Sequence, residues 1–264
     1  MTVHSFSSAA GAAAPLTRAR VSGSLPVWSL SLGCPKNRVD TEHLLGSLGM
    51  PVHSVEHMGR ARLVFINTCG FIEPAVRESI RSILDAVERL GRCKRRPLLA
   101  VAGCMVGRYG VKDLAADLPE VDLWLPTDEL ENWPAMVREA LGLPAAPAAP
   151  GRLLSTGPSY AWLKVGEGCR HKCAFCTIPS IRGPLRSVPA ADLREEARSL
   201  LAGFEDDPEK LWESNIFGKS LHELVNEGLQ NKLLHMPQEA RTRLQETLER
   251  VINEGCTGLI CILI

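Results

Sequence analysis

Three apolar runs, each carrying a cysteine at its end, set the terms for this chain. SLSLGC closes on Cys34, VFINTCG contains Cys69 and LLAVAGC closes on Cys104, so the three thiols recur at intervals of 35 residues. Short runs rich in Leu, Ile and Val and bounded by glycine read as strands buried on both faces. The stretches between them follow a helical period instead. Strands are expected at Val27 to Leu32, Arg62 to Asn67, Pro97 to Ala102 and Val121 to Leu125, and helices at Thr41 to Gly49, Ala75 to Leu90 and Trp133 to Leu141. That βαβ alternation predicts an α/β fold with an open, mostly parallel sheet and helices on its faces. In such sheets ligand sites gather at the carboxyl ends of strands, where cysteines far apart in sequence converge. A single thiol at such a place is most simply a core residue, because free cysteine is among the most buried residue types. Three, each beside a glycine and each at a strand end, favour a shared site.

The chain does not keep one composition throughout. Its 264 residues are 45% hydrophobic, enough for a sizeable core, and its 30 basic residues balance 30 acidic ones, which removes any argument for a polyanion binder from global charge. The balance is a cancellation. Residues 1–203 hold 24 basic and 19 acidic residues, and residues 204–264 hold 6 and 11. All three glutamines lie after residue 203, and 25 of the 26 alanines lie before it. Five segments follow: a flexible extension at 1–24, an α/β domain at 25–143, a Pro/Ala linker at 144–159 around PAAPAAP, a second unit at 160–203, and a tail at 204–264. The second unit is expected to open with a strand at Trp162 to Val165 and to reach a helix at about Ala190. The tail reads as helix, helix and strand. Leu221, Leu224, Val225, Leu229 and Leu233 mark the first helix, Leu244, Leu248, Val251 and Ile252 the second, and the uncharged run Gly258 to Ile264 a strand that needs a sheet to join. No apolar run is long enough to span a bilayer. Nine cysteines with no export signal point to a reducing, cytoplasmic setting, where close-set thiols serve metals or catalysis.

The second cysteine set is local. Cys169, Cys173 and Cys176 form a C-x3-C-x2-C loop, with Phe175 just before the last thiol. Three thiolates within eight residues can face one soft centre, either zinc or an iron-sulfur cluster. Zinc would take His171 as a fourth ligand in a cramped Cys3His arrangement. A 4Fe-4S cube held at three corners leaves one iron free to chelate S-adenosylmethionine.

The loop resembles the radical S-adenosylmethionine signature, with Phe175 at its aromatic place. The first half resembles the N-terminal domain of the methylthiotransferases, which implies a second 4Fe-4S cluster on Cys34, Cys69 and Cys104. Within that family, Leu32-Gly33-Cys34-Pro35-Lys36-Asn37 followed by Val39-Asp40-Thr41-Glu42 resembles the RimO branch, which modifies an aspartate of ribosomal protein S twelve. The tRNA-modifying branch is the alternative. Asn67 to Ile72, Gly103-Cys104-Met105 and Ile178 to Ser187 extend the resemblance, which covers about residues 25–203. It implies two 4Fe-4S clusters and S-adenosylmethionine as cofactors, the small ribosomal subunit as partner, and flavodoxin or ferredoxin as electron donor.

A radical S-adenosylmethionine barrel needs further strand-helix units after the cysteine loop, and only the first is expected here. The unit therefore reads as an incomplete barrel start with impaired turnover. From Phe204 the chain resembles the C-terminal end of the sporulation protein SpoIVA, which implies spore-coat proteins as alternative partners. Gly218-Lys219-Ser220 imitates a phosphate-binding loop, but Glu213 stands where the earlier glycine belongs. Two unrelated segments meeting near Gly203 predict a fusion. Cys93, within the basic run Arg92 to Arg96, reads as a solvated thiol, and Cys256 and Cys261 as tail core.

Overall fold

A computed structural model describes residues 23–144, 151–156, 160–171 and 173–202, together with the backbone of 259–263. Most of the expected extension, the PAAPAAP stretch and both tail helices lie outside the described residues.

The chain divides into two compact units. The larger draws on Met1–Ser155, Lys164–Val188 and Ile262–Ile264. It begins with β1 (Leu25–Ser31), α1 (Pro35–Gly46), β2 (Val52–Ser54), β3 (Leu63–Thr68), α2 (Glu73–Gly91) and β4 (Leu98–Gly103). Then come α3 (Cys104–Tyr109), α4 (Val111–Asp117), β5 (Leu123–Leu125) and α5 (Trp133–Ala140). The strands make one five-stranded sheet in the order β2-β1-β3-β4-β5, with every pair parallel. The expected α/β fold with an open parallel sheet is the one observed.

Alternation along each strand explains why both sheet faces are covered. Val64 and Ile66 of β3 enter one core with Trp28, Leu30, Leu99 and Val101, backed by Ile83 and Leu90 of α2. Leu63 and Phe65 enter the other with Val27, Ala100 and Ala102, backed by Leu44 and Leu45 of α1 and Trp133 of α5. Successive side chains point to opposite faces, so a strand buried on both sides must be apolar at every position, as the sequence runs are. Phe65 meets Trp133 edge-on, with ring centroids 6.3 Å apart.

Two features of this unit differ from the expectation. Helix α1 begins at Pro35 rather than near Thr41. Proline suits a first helical turn, but the next residues Asn37, Asp40, Thr41 and Glu42 are polar and buried, so they break the apolar period that marks a helix. The three-residue β2 and the six- and seven-residue helices α3 and α4 are too short to show a period of their own. After the PAAPAAP stretch, residues 151–155 lie along α1. Buried Glu42 accepts from Arg152 Nε and Nη2 at 2.9 and 2.7 Å and from the Ser155 amide at 2.8 Å, and its own carbonyl accepts from the Leu153 amide at 3.0 Å.

Beyond it the chain forms β6 (Tyr160–Lys164), β7 (Gly166–Glu167), α6 (Ile178–Arg182), β8 (Arg186–Ser187), α7 (Ala190–Ala202) and β9 (Leu259–Leu263). β7 and β8 pair antiparallel within the larger unit. β6 pairs with β9 in a two-stranded sheet, so the apolar closing run does join a strand. Tyr160 and Trp162 of β6 stand edge to face at 5.9 Å.

Candidate metal centre

The strand order puts the topological switch point, where parallel sheets gather their ligand sites, between β1 and β3. Cys34 follows β1 and caps α1, Cys69 follows β3, and Cys104 follows β4 as the first residue of α3. The three thiols therefore emerge from adjacent strands, on the same edge of the sheet. Glycines let the turns nest. Gly33 has φ +83°, and a Cβ there would stand 2.7 Å from Cys69 Cβ and 2.8 Å from its Sγ. A Cβ at Gly70 would stand 2.7 Å from the Cys104 carbonyl oxygen. The Cys69 backbone is pinned to α2, since its amide donates to Ser79 Oγ at 3.1 Å and its carbonyl accepts from the same hydroxyl at 2.9 Å. Cys34 is exposed, Cys69 half-buried and Cys104 buried, and all are free thiols. Among the described residues, no three His, Cys, Asp or Glu side chains are drawn close enough to hold a metal ion between them.

A buried polar framework lies behind the turns. Asn37 Nδ2 donates to the carbonyls of Leu32 and Thr68 at 2.8 and 2.9 Å, and Asn67 Nδ2 donates to the Asn37 carbonyl at 2.8 Å. Next to it sit two carboxylates and two cations. Arg182 Nη1 lies 2.9 Å from both Asp40 Oδ2 and Glu167 Oε2, while Lys164 pairs with Asp40 and, at 3.2 Å, with Glu167. Arg182 Nε donates to Cys104 Sγ at 3.2 Å, and its Nη2 donates to Asn37 Oδ1.

Burial and charge oppose one another here. Desolvation would raise the Asp40 carboxyl, but Lys164 and Arg182 together hold it below the ordinary carboxylate range. The same neighbours keep Lys164 and Arg182 charged: burial works against each cation, and the carboxylates of Asp40 and Glu167 outweigh it. Burial pushes up the Cys69 thiol, and also the Cys104 thiol despite the opposing pull of Arg182. The charge of Cys34 adds a smaller upward push to both.

The other trio is built locally. Gly168 has φ +77°, and a Cβ there would strike the carbonyls of Gly183 and Pro184 on the returning chain. The Cys169 amide donates to the Gly183 carbonyl at 3.2 Å, and the Cys176 amide turns back to the Cys173 carbonyl at 3.0 Å. Cys173 is exposed, Cys169 and Cys176 are half-buried, and Phe175 is 90% exposed. Three thiols on a loop and three at strand ends are both soft donor sets, with the chemistry that an iron-sulfur cluster takes.

Sequence reading named every one of these cysteines but gave no role to Arg182, Asp40, Lys164 or Glu167. Charged residues inside otherwise apolar or glycine-rich contexts, such as Arg182 between Ile181 and Gly183, were the available signal. Cys93 is half-buried rather than solvated, because it follows α2 directly and packs against the core on that face. The side chains of Cys256 and Cys261 lie outside the described residues.

Residues 27–126 match the family model described as "Uncharacterized protein family UPF0004", and residues 191–264 match "Sporulation stage IV protein A, C-terminal". Curated relatives carry the name "Ribosomal protein uS12 methylthiotransferase RimO". The one from Nitratidesulfovibrio vulgaris is 65% identical over 178 residues, which are 67% of this chain and 41% of the relative. That of Lawsonia intracellularis is 51% identical over 180 residues, covering 68% and 41%. That of Geobacter sulfurreducens is 40% identical over 191 residues, covering 67% and 42%. The chain thus spans about two fifths of the length of these relatives.

Proposed function

We propose that this chain, similar over two thirds of its length to RimO-type methylthiotransferases and at its end to a sporulation protein, is an iron-sulfur methylthiotransferase that binds two 4Fe-4S clusters. Cys169, Cys173 and Cys176 would hold one and bring S-adenosylmethionine to its free corner, with Phe175 beside it. Cys34, Cys69 and Cys104 would hold the other, which carries sulfur for transfer. The observation that carries this reading is the emergence of three free thiols from the adjacent strands β1, β3 and β4, at the switch point of a parallel sheet.

When bound, the loop cluster supplies the reductive cleavage of S-adenosylmethionine that begins radical chemistry. The residues of this chain do the rest. Glycines 33, 70 and 103 let the turns approach, α2 fixes Cys69 through Ser79, and buried Asn37 ties the ends of β1 and β3 together. The substrate we assign is an aspartate of ribosomal protein S twelve, in the cytoplasm, with flavodoxin or ferredoxin as reductant.

Anaerobic reconstitution followed by iron and sulfide counts tests the reading. Two cubes predict about eight irons per chain, a brown colour and absorption in the visible blue. A colourless protein with one equivalent of zinc would overturn it in favour of a Cys3His zinc site using His171. A second reading rests on the match of residues 191–264 alone: a module that docks to spore-coat proteins. Retention of the full chain on immobilised coat protein, undiminished when all six cluster cysteines are changed to alanine, would favour that module.

A further inference from the structure

Building on the cluster assignment, we infer that Arg182 is a positioning residue for the strand-end site, directing its Nε–H at the Cys104 sulfur that holds the cluster. The guanidinium is buried, and all three of its nitrogens are used: Nε on Cys104 Sγ at 3.2 Å, Nη1 on Asp40 and Glu167 at 2.9 Å each, and Nη2 on Asn37 Oδ1.

Its backbone is fixed as firmly as its head. Thr127 Oγ1 donates to the Ile181 carbonyl at 2.8 Å, and Gly107 of α3 lies so close that a Cβ would stand 2.8 Å from that carbonyl. Helix α6 is thereby seated on α3, the helix that begins with Cys104. Two carboxylates balance two cations in the cage, so the charge of Arg182 is already neutralised before any sulfur ionises. What remains to the arginine is direction. A planar fork held on one side by carboxylates presents Nε–H to the sulfur at a set angle, as a flexible ammonium cannot. Hydrogen bonds to the sulfurs of a cluster are among the groups that set its potential, and donors raise it. Arg182 also follows the loop thiols closely in sequence, so α6 physically links the two cysteine sets.

The test uses the full chain carrying Cys169→Ala, Cys173→Ala and Cys176→Ala, so that iron can load only at the strand ends. This parent should bind about four irons, and its midpoint potential is measured by redox titration followed by absorbance and electron paramagnetic resonance. Adding Arg182→Lys keeps the charge and loses the fork; the midpoint should fall with iron content unchanged. Arg182→Met with Glu167→Gln keeps the cage neutral and removes the donor, and it should lower the midpoint at least as far. Loss of iron from either variant, with the parental circular dichroism retained, would support the role in its strongest form. A lower melting temperature with an unmoved midpoint in both variants would overturn it and leave a purely structural residue. A parent that binds no iron would instead remove the cluster assignment itself.

Discussion

The two cysteine trios are made in opposite ways. Cys169, Cys173 and Cys176 share one loop, with Cys173 and Phe175 facing solvent and a glycine turn held by the returning chain. Cys34, Cys69 and Cys104 owe their places at the ends of three adjacent strands to the sheet, with turns nested on glycine and backed by buried Asn37, Asp40 and Arg182. The loop keeps its three thiols near one another in sequence whatever the rest of the chain does. The strand-end site exists only while the sheet is folded and its polar framework is satisfied. Substitutions around the strand ends should therefore cost stability as well as iron, and those around the loop should cost iron or function without stability.

Asp40→Ala should have the largest effect. It leaves Lys164 with Glu167 alone and takes one of two carboxylates from Arg182, and breaking a buried pair costs about 3–5 kcal/mol. Urea unfolding of the metal-free protein measures it. Because the Asp40 carboxyl is held below its ordinary value, its contribution is complete above the unfolded value of about 3.9 and disappears as pH falls through the lower folded value. The parent should lose stability in that acid window, and the Ala variant should lose less there. An equally steep acid loss in both would show that Asp40 is not the group responsible.

Gly33→Ala comes next. Its φ of +83° and the contact of its Cβ with Cys69 at 2.7 Å together predict a loss of about 2–4 kcal/mol. The strand-end iron should fall with it, while the loop iron stays. An equal loss of iron from both sites would erase the distinction drawn between them.

Much of this was legible in the sequence because buried parallel strands are apolar at every position. The runs around Val64 to Ile66 and Leu99 to Ala102 thus declared themselves, and with them the placing of Cys69 and Cys104 at strand ends. The loop trio was legible from spacing alone. The cage was not. Its four charges come from α1, β6, β7 and α6, and only the fold shows that Asp40 and Arg182, 142 residues apart, meet. The start of α1 was hidden for the same reason, since Asn37, Asp40 and Glu42 point inward and mimic a solvated loop. The basic run Arg92 to Arg96 is in part tethered: Arg92 pairs with Glu88, and Arg96 with Asp122 at 2.6 Å.

Phe175→Ala should have the smallest effect on folding. A side chain 90% exposed contributes less than about 0.5 kcal/mol, so the melting temperature should not move, while affinity of the reconstituted protein for S-adenosylmethionine should drop. A shift in melting without a change in affinity would reverse the roles given to the two regions.

Site-resolved iron content is the most direct measurement. After anaerobic reconstitution, the unaltered chain should hold about eight irons, and alanine at either Cys34, Cys69 and Cys104 or Cys169, Cys173 and Cys176 should leave about four. Full iron content after loss of the first trio would contradict the account, because it would mean that those strand-end thiols grip nothing.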